Sequence, residues 1–569
     1  MASHSESQDP WDYIPDELRI RYDELCVSIP QAVRVAAQQF GPDEAIVDGH
    51  LRITFEELES MMVDSVRAVM ALGVRPGDRV AIWAPNCWQW IVAALGIHGA
   101  GGVLIPVNTR FKGEEAAYVL RKSGASALFA VQDFLDTDYL AMLRAAGPDL
   151  EALRPGRVVV TSGATREGEL SWAEFLEAGA RVPVADAQAS IDAVGPESLS
   201  DIMFTSGTTG HPKGVMLTHG QSLRAHGWFA KVMDFRRGDR YLIIPPFFHT
   251  FGYKAGWMAC IVHGVTILPA ATFTVESVLA TIDRERVSIL LGPPTLFDGV
   301  LDAPDRGAYD LSSVRIAMAS ATTVPPSLNR RLRDELKVEI IHSGYGLTEC
   351  TSMASATLPK IDSFEDIATT VGRAGWGVEL KAVDDAGAEV PRGTPGELLI
   401  RGFNVMSGYW EEPDKTAEVL GPDGWLRSGD VAVIDDRGFV TITDRKKDVI
   451  FVGGFNVYPA EVERVLGEHP AVESIAVIGA ADPRLGEVPV AFVVPRAGSD
   501  LTAEELTSWA REHIANFKVP RRVVVVDALP RNASMKVVKN ELRERLRTEA
   551  PLSASGPDKG PVDRHTSGS

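Results

Sequence analysis

The ten residues Thr205–Gly214, with the sequence TSGTTGHPKG, decide how the rest of this chain is interpreted. They combine three glycines, four hydroxyl side chains and one lysine, Lys213, directly after the strand-like stretch 201–204. Glycines let backbone N–H groups approach an oxyanion closely, hydroxyls donate further hydrogen bonds, and a lysine supplies positive charge. The segment therefore predicts a loop that holds a polyphosphate.

Two other interpretations of this segment are a Walker-type loop and a polar surface turn. The Walker pattern, GxxxxGK followed by Ser or Thr, is not matched because Pro212 precedes the lysine, which argues against a Walker-type nucleotide hydrolase. A Gly-rich surface turn seldom combines this composition with a preceding strand. The phosphate loop is therefore the favoured interpretation.

The overall composition is that of an ordinary globular protein. The chain has 569 residues, of which 45% are hydrophobic and 24% are charged. At roughly 100–200 residues per domain, this length predicts several packed subdomains. The net charge of −20 argues against a protein that coats nucleic acid, so positive charge for a phosphate ligand must be gathered locally.

Cysteine usage and hydropathy indicate the compartment. The four cysteines, Cys26, Cys87, Cys260 and Cys350, have neither CxxC nor zinc spacing, which indicates buried thiols in a reducing environment. The N-terminus is polar and acidic, unlike a secretory signal, and there is no stretch of about 18 uninterrupted apolar residues that would predict a spanning helix. We expect a cytoplasmic protein without a transmembrane segment.

The order of helices and strands predicts an α/β fold. From about residue 50 the two alternate: Thr54 and Glu57 form a capping box, and strands at 79–83 and 103–107 flank a helix at 88–98. This alternation predicts two parallel βα sheets in a large body of several subdomains. After about residue 376 the pattern predicts a β-barrel-like subdomain, and beyond Asp448 a small, mobile α+β domain.

Five further segments resemble, in the expected order, motifs of the adenylate-forming superfamily, which includes acyl-CoA synthetases, luciferases and peptide-synthetase adenylation domains. They are PPFFHTFGY (245–253), SGYGLTE (343–349), GWLRSGD (424–430), DRKKDVIFVGGFNVYPAEVE (444–463) and PRNASMK (530–536). The resemblance covers about residues 30–547. It implies an AMP-binding domain at 30–446 and a lid domain at 447–548 with its hinge at Lys447. Residues 1–29 form an N-terminal extension, and the Ser, Gly and Pro content of residues 549–569 predicts a disordered tail.

The resemblance also implies residues that bind ATP, Mg²⁺ and coenzyme A. Two glycines flank Tyr345, whose ring is expected against a flat base, and the resemblance implies that Asp430 and Arg445 hold the ribose and that Glu349 is the Mg²⁺ ligand. Without the resemblance, Glu349 is equally well a solvated carboxylate and Asp430 a turn residue. The full set of cofactor-binding residues is Thr205, Ser206, Gly207, Thr208, Thr209, Gly210, Lys213, Tyr345, Gly346, Thr348, Asp430, Arg445, Lys536, Gly453, Gly454 and Phe455.

The catalytic residues implied are Lys536, Thr348, Glu349 and His249. The family places the matching lysine at the α-phosphate in the first half-reaction, although Met535 replaces its commoner preceding glycine. After a swing about Lys447, residues 453–455 are expected beside the coenzyme A arm; the alternative is a plain hairpin turn. His249 is expected at the mouth of the acyl pocket, and the alternative is a packed histidine.

The substrate wall is predicted from apolar residues around these motifs: Trp228, Phe229, Phe248, Tyr253, Lys254, Met318, Gly344 and Met353. The segment after His249 carries no acidic residue that would pair with an α-ammonium group, which disfavours amino acid substrates. Lys254 is interpreted either as a contact to a polar group of the acid or as a solvent-exposed lysine. The segment is similar to that of bacterial synthetases for bicyclic keto acids and of coronafacate-type amide ligases.

These observations favour an enzyme that activates a bulky, cyclic or medium-chain carboxylic acid as an acyl-adenylate and transfers it to coenzyme A. Transfer to an amino acid, with formation of an amide, is the alternative acceptor. A non-catalytic nucleotide or acyl sensor is the alternative from another class. Both a monomer and a homodimer are compatible with the sequence, and no nucleic acid partner is expected.

Overall fold

The structure is a computed structural model that describes residues 11–19, 27–147, 156–205, 212–320, 324–452, 455–482, 484–532 and 536–548. The chain divides into two compact units, the first up to Lys447 and the second from Asp448 onward. The domain boundary expected at Lys447 lies next to this division. The tail expected to be disordered, residues 549–569, lies outside the described residues.

The helices belong to both units. None in the described part of the chain has the length and apolar character needed to cross a membrane. The α-helices are α1 (Ile29–Phe40), α2 (Phe55–Ala71), α3 (Trp88–Gly99), α4 (Gly113–Ser123), α5 (Tyr139–Ala145), α6 (Trp172–Gly179), α7 (Val184–Ala193), α8 (His219–Val232), α9 (Thr250–Gly252), α10 (Ala259–His263), α11 (Val275–Glu285), α12 (Pro294–Asp302), α13 (Pro326–Glu335), α14 (Phe364–Thr369), α15 (Pro413–Val419), α16 (Pro459–Gly467), α17 (Ala503–His513) and α18 (Lys539–Thr548). A π-helix spans Tyr253–Met258, and 3₁₀ turns lie at Asp16–Leu18, Arg306–Ala308, Thr348–Cys350 and Lys446–Asp448.

The strands of the described residues, in chain order, are β1 (Glu44–Asp48), β2 (Leu51–Thr54), β3 (Arg79–Trp83), β4 (Val103–Pro106), β5 (Ala127–Val131), β6 (Asp133–Phe134), β7 (Thr137–Asp138), β8 (Val158–Ser162), β9 (Glu169–Ser171), β10 (Leu199–Thr205), β11 (Lys213–Thr218), β12 (Arg240–Ile243), β13 (Thr266–Pro269), β14 (Ile289–Gly292), β15 (Ile316–Ala319), β16 (Ile340–Ile341), β17 (Gly344–Tyr345), β18 (Ser355–Ala356), β19 (Arg373–Ala374), β20 (Val378–Val383), β21 (Gly396–Gly402), β22 (Gly408–Tyr409), β23 (Leu426–Ile434), β24 (Val440–Arg445), β25 (Ile450–Val452), β26 (Phe455–Val457), β27 (Val472–Asp482), β28 (Gly486–Pro495) and β29 (Arg522–Val525).

Two large sheets form the centre of the first unit. One has the strand order β16-β15-β14-β12-β13-β1-β2 and the other β22-β11-β10-β4-β3-β5-β8-β9. Their central strands pair in parallel, as predicted, but each sheet carries an antiparallel edge: β2 on β1 in the first sheet, and β11 and β22 beyond β10 in the second. The antiparallel edge of the second sheet carries the candidate phosphate loop.

The β-rich region after residue 376 is a four-stranded antiparallel sheet in the order β20-β21-β23-β24. It adjoins the three-stranded sheet β17-β18-β19, because Val440 exchanges backbone hydrogen bonds with Val371 and Gly372. In the second unit, β26, β25, β28 and β27 form a sheet in which β29 pairs in parallel with β28. The small α+β pattern predicted beyond Asp448 is confirmed in this unit.

Local signals predicted several element ends correctly. Thr54 caps α2: its side chain accepts from the backbone N–H of Glu57, and the Glu57 carboxylate accepts from the backbone N–H of Thr54 at 2.8 Å. The strand predicted at 79–83 has those bounds. Part of the N-terminal extension is bound to the body, since the indole N–H of Trp11 donates to the carbonyl of Val378 at 3.0 Å.

A buried ion pair joins β10 to the π-helix. The ammonium of Lys254 lies 2.9 Å from Asp201 Oδ1 and donates to Ser222 Oγ at 2.8 Å, and both charged side chains are 0% exposed. Burial lowers the pKa of Lys254, whereas Asp201 acts in the opposite direction. Because Asp201 lies four residues before Thr205, the pair anchors the strand that leads into the candidate phosphate loop.

We expect Lys254→Met to destabilise the first unit by about 3–5 kcal/mol, because it leaves the Asp201 carboxylate buried without a cation. Urea denaturation measures the free energy of unfolding. The double variant Asp201→Asn/Lys254→Met should recover part of the loss, since no buried charge then remains.

The control is Lys360→Met, which breaks the Lys360–Asp234 pair of 2.8 Å between an exposed lysine and a half-buried aspartate and should cost at most about 1 kcal/mol. Equal losses in Lys254→Met and Lys360→Met would show that the buried pair does not anchor β10.

Candidate active site

The two ends of the candidate phosphate loop are held together by strand pairing. Thr205, the last residue of β10, pairs with Lys213, the first residue of β11, and Phe204 pairs with Gly214. Tyr118 Oη donates to the carbonyl of Pro212 at 3.3 Å. The predicted phosphate ligands Ser206, Gly207, Thr208, Thr209 and Gly210 lie outside the described residues, so their role stays a prediction.

Close packing around Gly214 requires a glycine at this position of the motif. A Cβ at this position would lie 2.6 Å from Ile202 Cγ2 and 3.3 Å from Trp410 Cβ. The carbonyl of Gly214 accepts from the backbone N–H of Trp410 at 2.7 Å. The third glycine of the motif therefore lets the short edge strand β22 lie close against β11.

Lys213 and Glu349 meet at the side chain of Tyr409. The Lys213 ammonium lies 4.8 Å from the centroid of the Tyr409 ring, and Tyr409 Oη donates to Glu349 Oε1 at 3.0 Å. Desolvation, followed by the charge of Glu349, raises the pKa of Tyr409 above its usual range, so the phenol keeps its proton and remains a donor. One aromatic side chain thus contacts both the predicted phosphate lysine and the predicted metal ligand.

Tyr345 and Asp430 form a second polar contact in the same unit. Tyr345 Oη donates to Asp430 Oδ2 at 2.5 Å. Burial, and then the Asp430 charge, raise the pKa of Tyr345 well above its usual value. Asp430 was expected in a turn; it lies instead inside strand β23, next to Gly429, which has a φ of +72° at a register shift against β21.

The other predicted nucleotide-binding residues lie on or beside the same strands and turns as Tyr345, Glu349 and Asp430. Asp430 pairs with Arg445 across β23 and β24, and the side chain of Arg445 lies outside what the structure describes. Thr348 and Glu349 begin a 3₁₀ turn. A Cβ on Gly346 would lie 2.2 Å from the backbone carbon of Ser352, so this motif glycine is required by a close approach of two backbone segments.

His249 lies at the N-terminus of α9, where Nδ1 accepts from the backbone N–H of Phe251 at 3.2 Å. The side chain is half-buried, as is that of the neighbouring Phe248. In the alternative interpretation, a packed His249 donates a hydrogen bond to a backbone carbonyl. In the structure Nδ1 is instead an acceptor, which leaves the proton of a neutral ring on Nε2. The gating role of His249 stays a prediction.

Five of the predicted substrate residues lie together around two glycines. A Cβ on Gly344 would lie 3.7 Å from Met318 Cε, and a Cβ on Gly375 would lie 2.6 Å from Met353 Sδ and 3.2 Å from Trp228 Cζ3. Phe229 packs edge-on against His342 with a centroid distance of 5.7 Å. We name the five predicted residues together with His342 the acyl cluster; its six members are Trp228, Phe229, Met318, His342, Gly344 and Met353.

Tyr253 and Lys254 were predicted in the substrate wall, but other core residues engage both side chains. Tyr253 is fully buried, its hydroxyl lies 2.8 Å from His98 Nε2, and its ring stacks on Trp257. The Lys254 ammonium neither faces solvent nor reaches a wall, because Asp201 and Ser222 engage it in the core. Both residues stabilise the packing of the π-helix instead.

The remaining predicted residues belong to the second unit. Lys536 is exposed, and its backbone N–H donates to Asn532 Oδ1 at 3.0 Å. Val452 pairs with Phe455, so the strands on either side of residues 453–454 form a hairpin. Gly453 and Gly454 lie outside the described residues, as do the side chains of Phe455 and of the expected hinge residue Lys447.

Sequence reasoning missed Tyr409 and His342. Tyr409 follows Gly408 in the short segment SGYW, which carries no residue pattern that indicates catalysis. His342 directly precedes the motif SGYGLTE, and its position beside that motif was the signal that could have drawn attention to it.

With this geometry established, the chain can be compared with known proteins. Residues 33–410 match the AMP-binding enzyme family, and residues 461–536 match the C-terminal domain of the AMP-binding enzymes. The chain belongs to the AMP-binding enzyme family.

Curated relatives of this AMP-binding enzyme are CoA ligases. A Rhodococcus jostii ligase named for a (7a-methyl-1,5-dioxo-octahydro-1H-inden-4-yl)propanoyl group is 44% identical over 90% of this chain and 98% of its own. The Mycobacterium tuberculosis ligase of the same name is 45% identical over 91% and 98%. The mitochondrial medium-chain acyl-CoA ligase of Macaca fascicularis is 34% identical over 92% and 87%.

Solved structures of similar fold include both CoA ligases and an amide synthetase. An anthranilate CoA ligase in complex with anthranoyl-AMP aligns with a TM-score of 0.83 and 26% identity, over 93% of this AMP-binding enzyme and 99% of that chain. The amide bond synthetase of Marinactinospora thermotolerans aligns with a TM-score of 0.78 and 29% identity, over 91% and 99%.

Proposed function

We propose that this chain is an ATP-dependent, AMP-forming acid–CoA ligase. In the first half-reaction a carboxylate oxygen of the acid attacks the α-phosphorus of ATP, and pyrophosphate leaves. In the second, the thiolate of coenzyme A attacks the acyl carbon, and AMP leaves with the carboxylate oxygen that formed the anhydride. The substrates are therefore a carboxylic acid, ATP and coenzyme A.

The observation that carries this proposal is the arrangement of two polar anchors on one short segment. Glu349 is tied to Lys213 through Tyr409, and Tyr345, four residues before Glu349, is tied to Asp430. The first anchor offers a cation and a metal ligand, which suit phosphates; the second offers a ring and a carboxylate, which suit a nucleoside. A nucleotide bound along residues 345–349 engages both.

Glu349 fits a Mg²⁺ ion that is held mainly by the phosphates of ATP. Mg²⁺ commonly binds one or two protein carboxylates together with phosphate oxygens and waters. Consistent with that, no cluster of three or more His, Cys, Asp or Glu side chains that could hold a metal occurs in the described ranges. When bound, the ion neutralises phosphate charge, and Tyr409 holds the Glu349 carboxylate in one orientation.

Lys536 supplies positive charge in the first half-reaction. It stabilises the charge that develops between the carboxylate and the α-phosphate as pyrophosphate leaves. Lys536 lies in the second unit, whereas Lys213 and Glu349 lie in the first. The division next to Lys447 supports a hinge there, which brings Lys536 into use for adenylation and residues 453–455 for the coenzyme A step.

The acid occupies the acyl cluster, with His249 orienting its carboxylate. A bulky cyclic acid is favoured over a straight-chain acid, because the relatives named for a bicyclic acid are 44% and 45% identical to this chain. The relative named for medium-chain acids is 34% identical. We place the reaction in the cytoplasm, supported by the free thiols of Cys87, Cys260 and Cys350 among the described cysteines.

Amide formation is the second candidate function. It is favoured by the similarity to the amide bond synthetase, whose TM-score is 0.78. Both candidates share the adenylation step and differ only in whether a thiol or an amine attacks the acyl carbon.

We expect Tyr409→Phe to raise the Mg²⁺ concentration for half-maximal adenylation by about 10-fold, because Glu349 loses a hydrogen bond while the ring that faces Lys213 remains. The measurement is acid-dependent exchange of labelled pyrophosphate into ATP over a Mg²⁺ titration. Tyr139→Phe, which removes a hydrogen bond from another tyrosine hydroxyl to the Thr109 carbonyl, is the matched control. An unchanged Mg²⁺ dependence in Tyr409→Phe would contradict the role of Glu349 as metal ligand.

We expect Lys536→Ala to lower acid-dependent pyrophosphate exchange by about 100-fold or more, because the developing charge loses its cation. Lys539→Ala, a lysine of the same unit that pairs with Glu463 at 2.9 Å, should retain exchange. Persistent exchange in Lys536→Ala would refute the assignment of that lysine. A wild-type protein that binds ATP without exchange would refute the enzyme and favour a sensor.

The acceptor is tested by offering coenzyme A and a panel of amino acids together with ATP and branched, cyclic and straight-chain acids. We expect the mass spectrum to show the acyl-CoA thioester of a cyclic acid. An acyl-amino acid as the main product would instead establish the amide ligase.

A further inference from the structure

His342 presents a buried nitrogen for which the described part of the chain offers no partner. The residue follows β16 and is 1% exposed. Nδ1 lies 3.2 Å from Thr357 Oγ1, whereas Nε2 has no hydrogen-bond partner among the described residues. Buried polar atoms are nearly always paired, because leaving one unpaired forfeits its hydrogen bonds to water.

Nε2 of His342 is directed into the acyl cluster. A Cβ on Gly344 would lie 3.4 Å from His342 Nε2, so the imidazole borders the same space beside Gly344 as the Met318 thioether. The Phe229 ring packs edge-on at 5.7 Å and closes another side of the imidazole. The nitrogen is one of a few polar points there: the Ser355 carbonyl oxygen would lie 3.1 Å from the same Gly344 Cβ, and the buried indole N–H of Trp228 also has no partner among the described residues.

The charge state of the ring restricts what can bind there. Burial lowers the pKa of His342 to about 3, so the imidazole is neutral at neutral pH. A neutral imidazole cannot form an ion pair with a second carboxylate, but it can form one hydrogen bond through Nε2. The single proton of the Thr357 hydroxyl decides the tautomer, since the Ser343 carbonyl also lies 3.1 Å from Thr357 Oγ1. If Thr357 donates to that carbonyl, Nδ1 carries the ring proton and Nε2 accepts from a hydroxyl; if Thr357 donates to Nδ1, Nε2–H donates to a ketone.

We propose that His342 is a specificity-determining residue whose Nε2 hydrogen-bonds a neutral oxygen, keto or hydroxyl, on the ring body of the acid. The inference rests on the proposed function and adds the substrate class: cyclic acids that carry an oxygen function away from the carboxylate. A hydrocarbon acid of the same shape fills the acyl cluster but leaves Nε2 unpaired. The site is therefore selective for oxo or hydroxy acids over fatty acids.

The test compares matched acids on wild type and His342→Phe. Three acids of one skeleton serve as probes. They are the dioxo-octahydroindene propanoic acid for which two relatives are named, its hydroxy analogue, and the carbocyclic acid without keto or hydroxyl groups on the rings. We expect wild type to favour an oxygenated acid over the carbocyclic acid in kcat/KM by about 10-fold or more. His342→Phe should remove that preference by slowing only the oxygenated acids, and the keto and hydroxy arms identify the tautomer.

Two further variants separate recognition from packing. His342→Gln replaces the imidazole by an amide that can still donate and accept hydrogen bonds, and it should retain part of the preference. Tyr241→Phe removes another buried polar atom without a partner among the described residues and should leave the preference unchanged. Equal losses for all acids in His342→Phe would overturn the proposal in favour of a structural role.

The wild-type comparison decides the inference even if His342→Phe fails to fold. A wild type that uses the carbocyclic and oxygenated acids equally well would overturn the proposal. Failure of the proposed function has a different signature, since no acid in the set would then support pyrophosphate exchange.

Discussion

The antiparallel pairing of β11 with β10 on one side and β22 on the other is the constraint on which the candidate site depends. It places Lys213 opposite Thr205 and Tyr409 opposite Val215, two residues further along β11. Side chains two apart on a strand share a face, so the Tyr409 ring comes to lie near the Lys213 ammonium. Glu349 reaches the same point through the Tyr409 hydroxyl, and three distant segments converge on one small region.

Positive charge gathered at a few residues explains how an acidic protein can bind polyanions. The net charge is −20, yet the proposed phosphate contacts gather positive charge at Lys213 and Lys536 and at a Mg²⁺ on Glu349. Buried titratable groups are either paired or neutral: Lys254 is paired with Asp201, and burial lowers the pKa of His219, His226 and His342 to about 3. The acidic excess therefore reports on the surface and not on the ligand.

Local patterns predicted the elements well, and long-range contacts could not be predicted. The capping box at Thr54, the strand at 79–83 and the order of the motifs follow from neighbouring residues, which the sequence displays directly. Lys254 was misplaced because its partner Asp201 lies 53 residues earlier in the chain, and sequence reasoning assigns a lysine to the surface or to a ligand. Tyr409 and His342 are important through contacts with residues that lie far away in the chain, Glu349 and Phe229. Asp430 was assigned to a turn because it follows a glycine, yet Gly429 takes its positive φ inside strand β23.

In the proposed reaction the carboxylate itself attacks the α-phosphate of ATP, and oxygen labelling follows the bond that forms. The acid is supplied with ¹⁸O in its carboxylate, together with ATP and coenzyme A, and the nucleotide product is analysed by mass spectrometry. Attack at the α-phosphate predicts one ¹⁸O atom in AMP and no label in pyrophosphate, because the bridging oxygen stays with the phosphate when the thiol displaces it. Label in inorganic phosphate with ADP as product, or unlabelled AMP, would contradict the account.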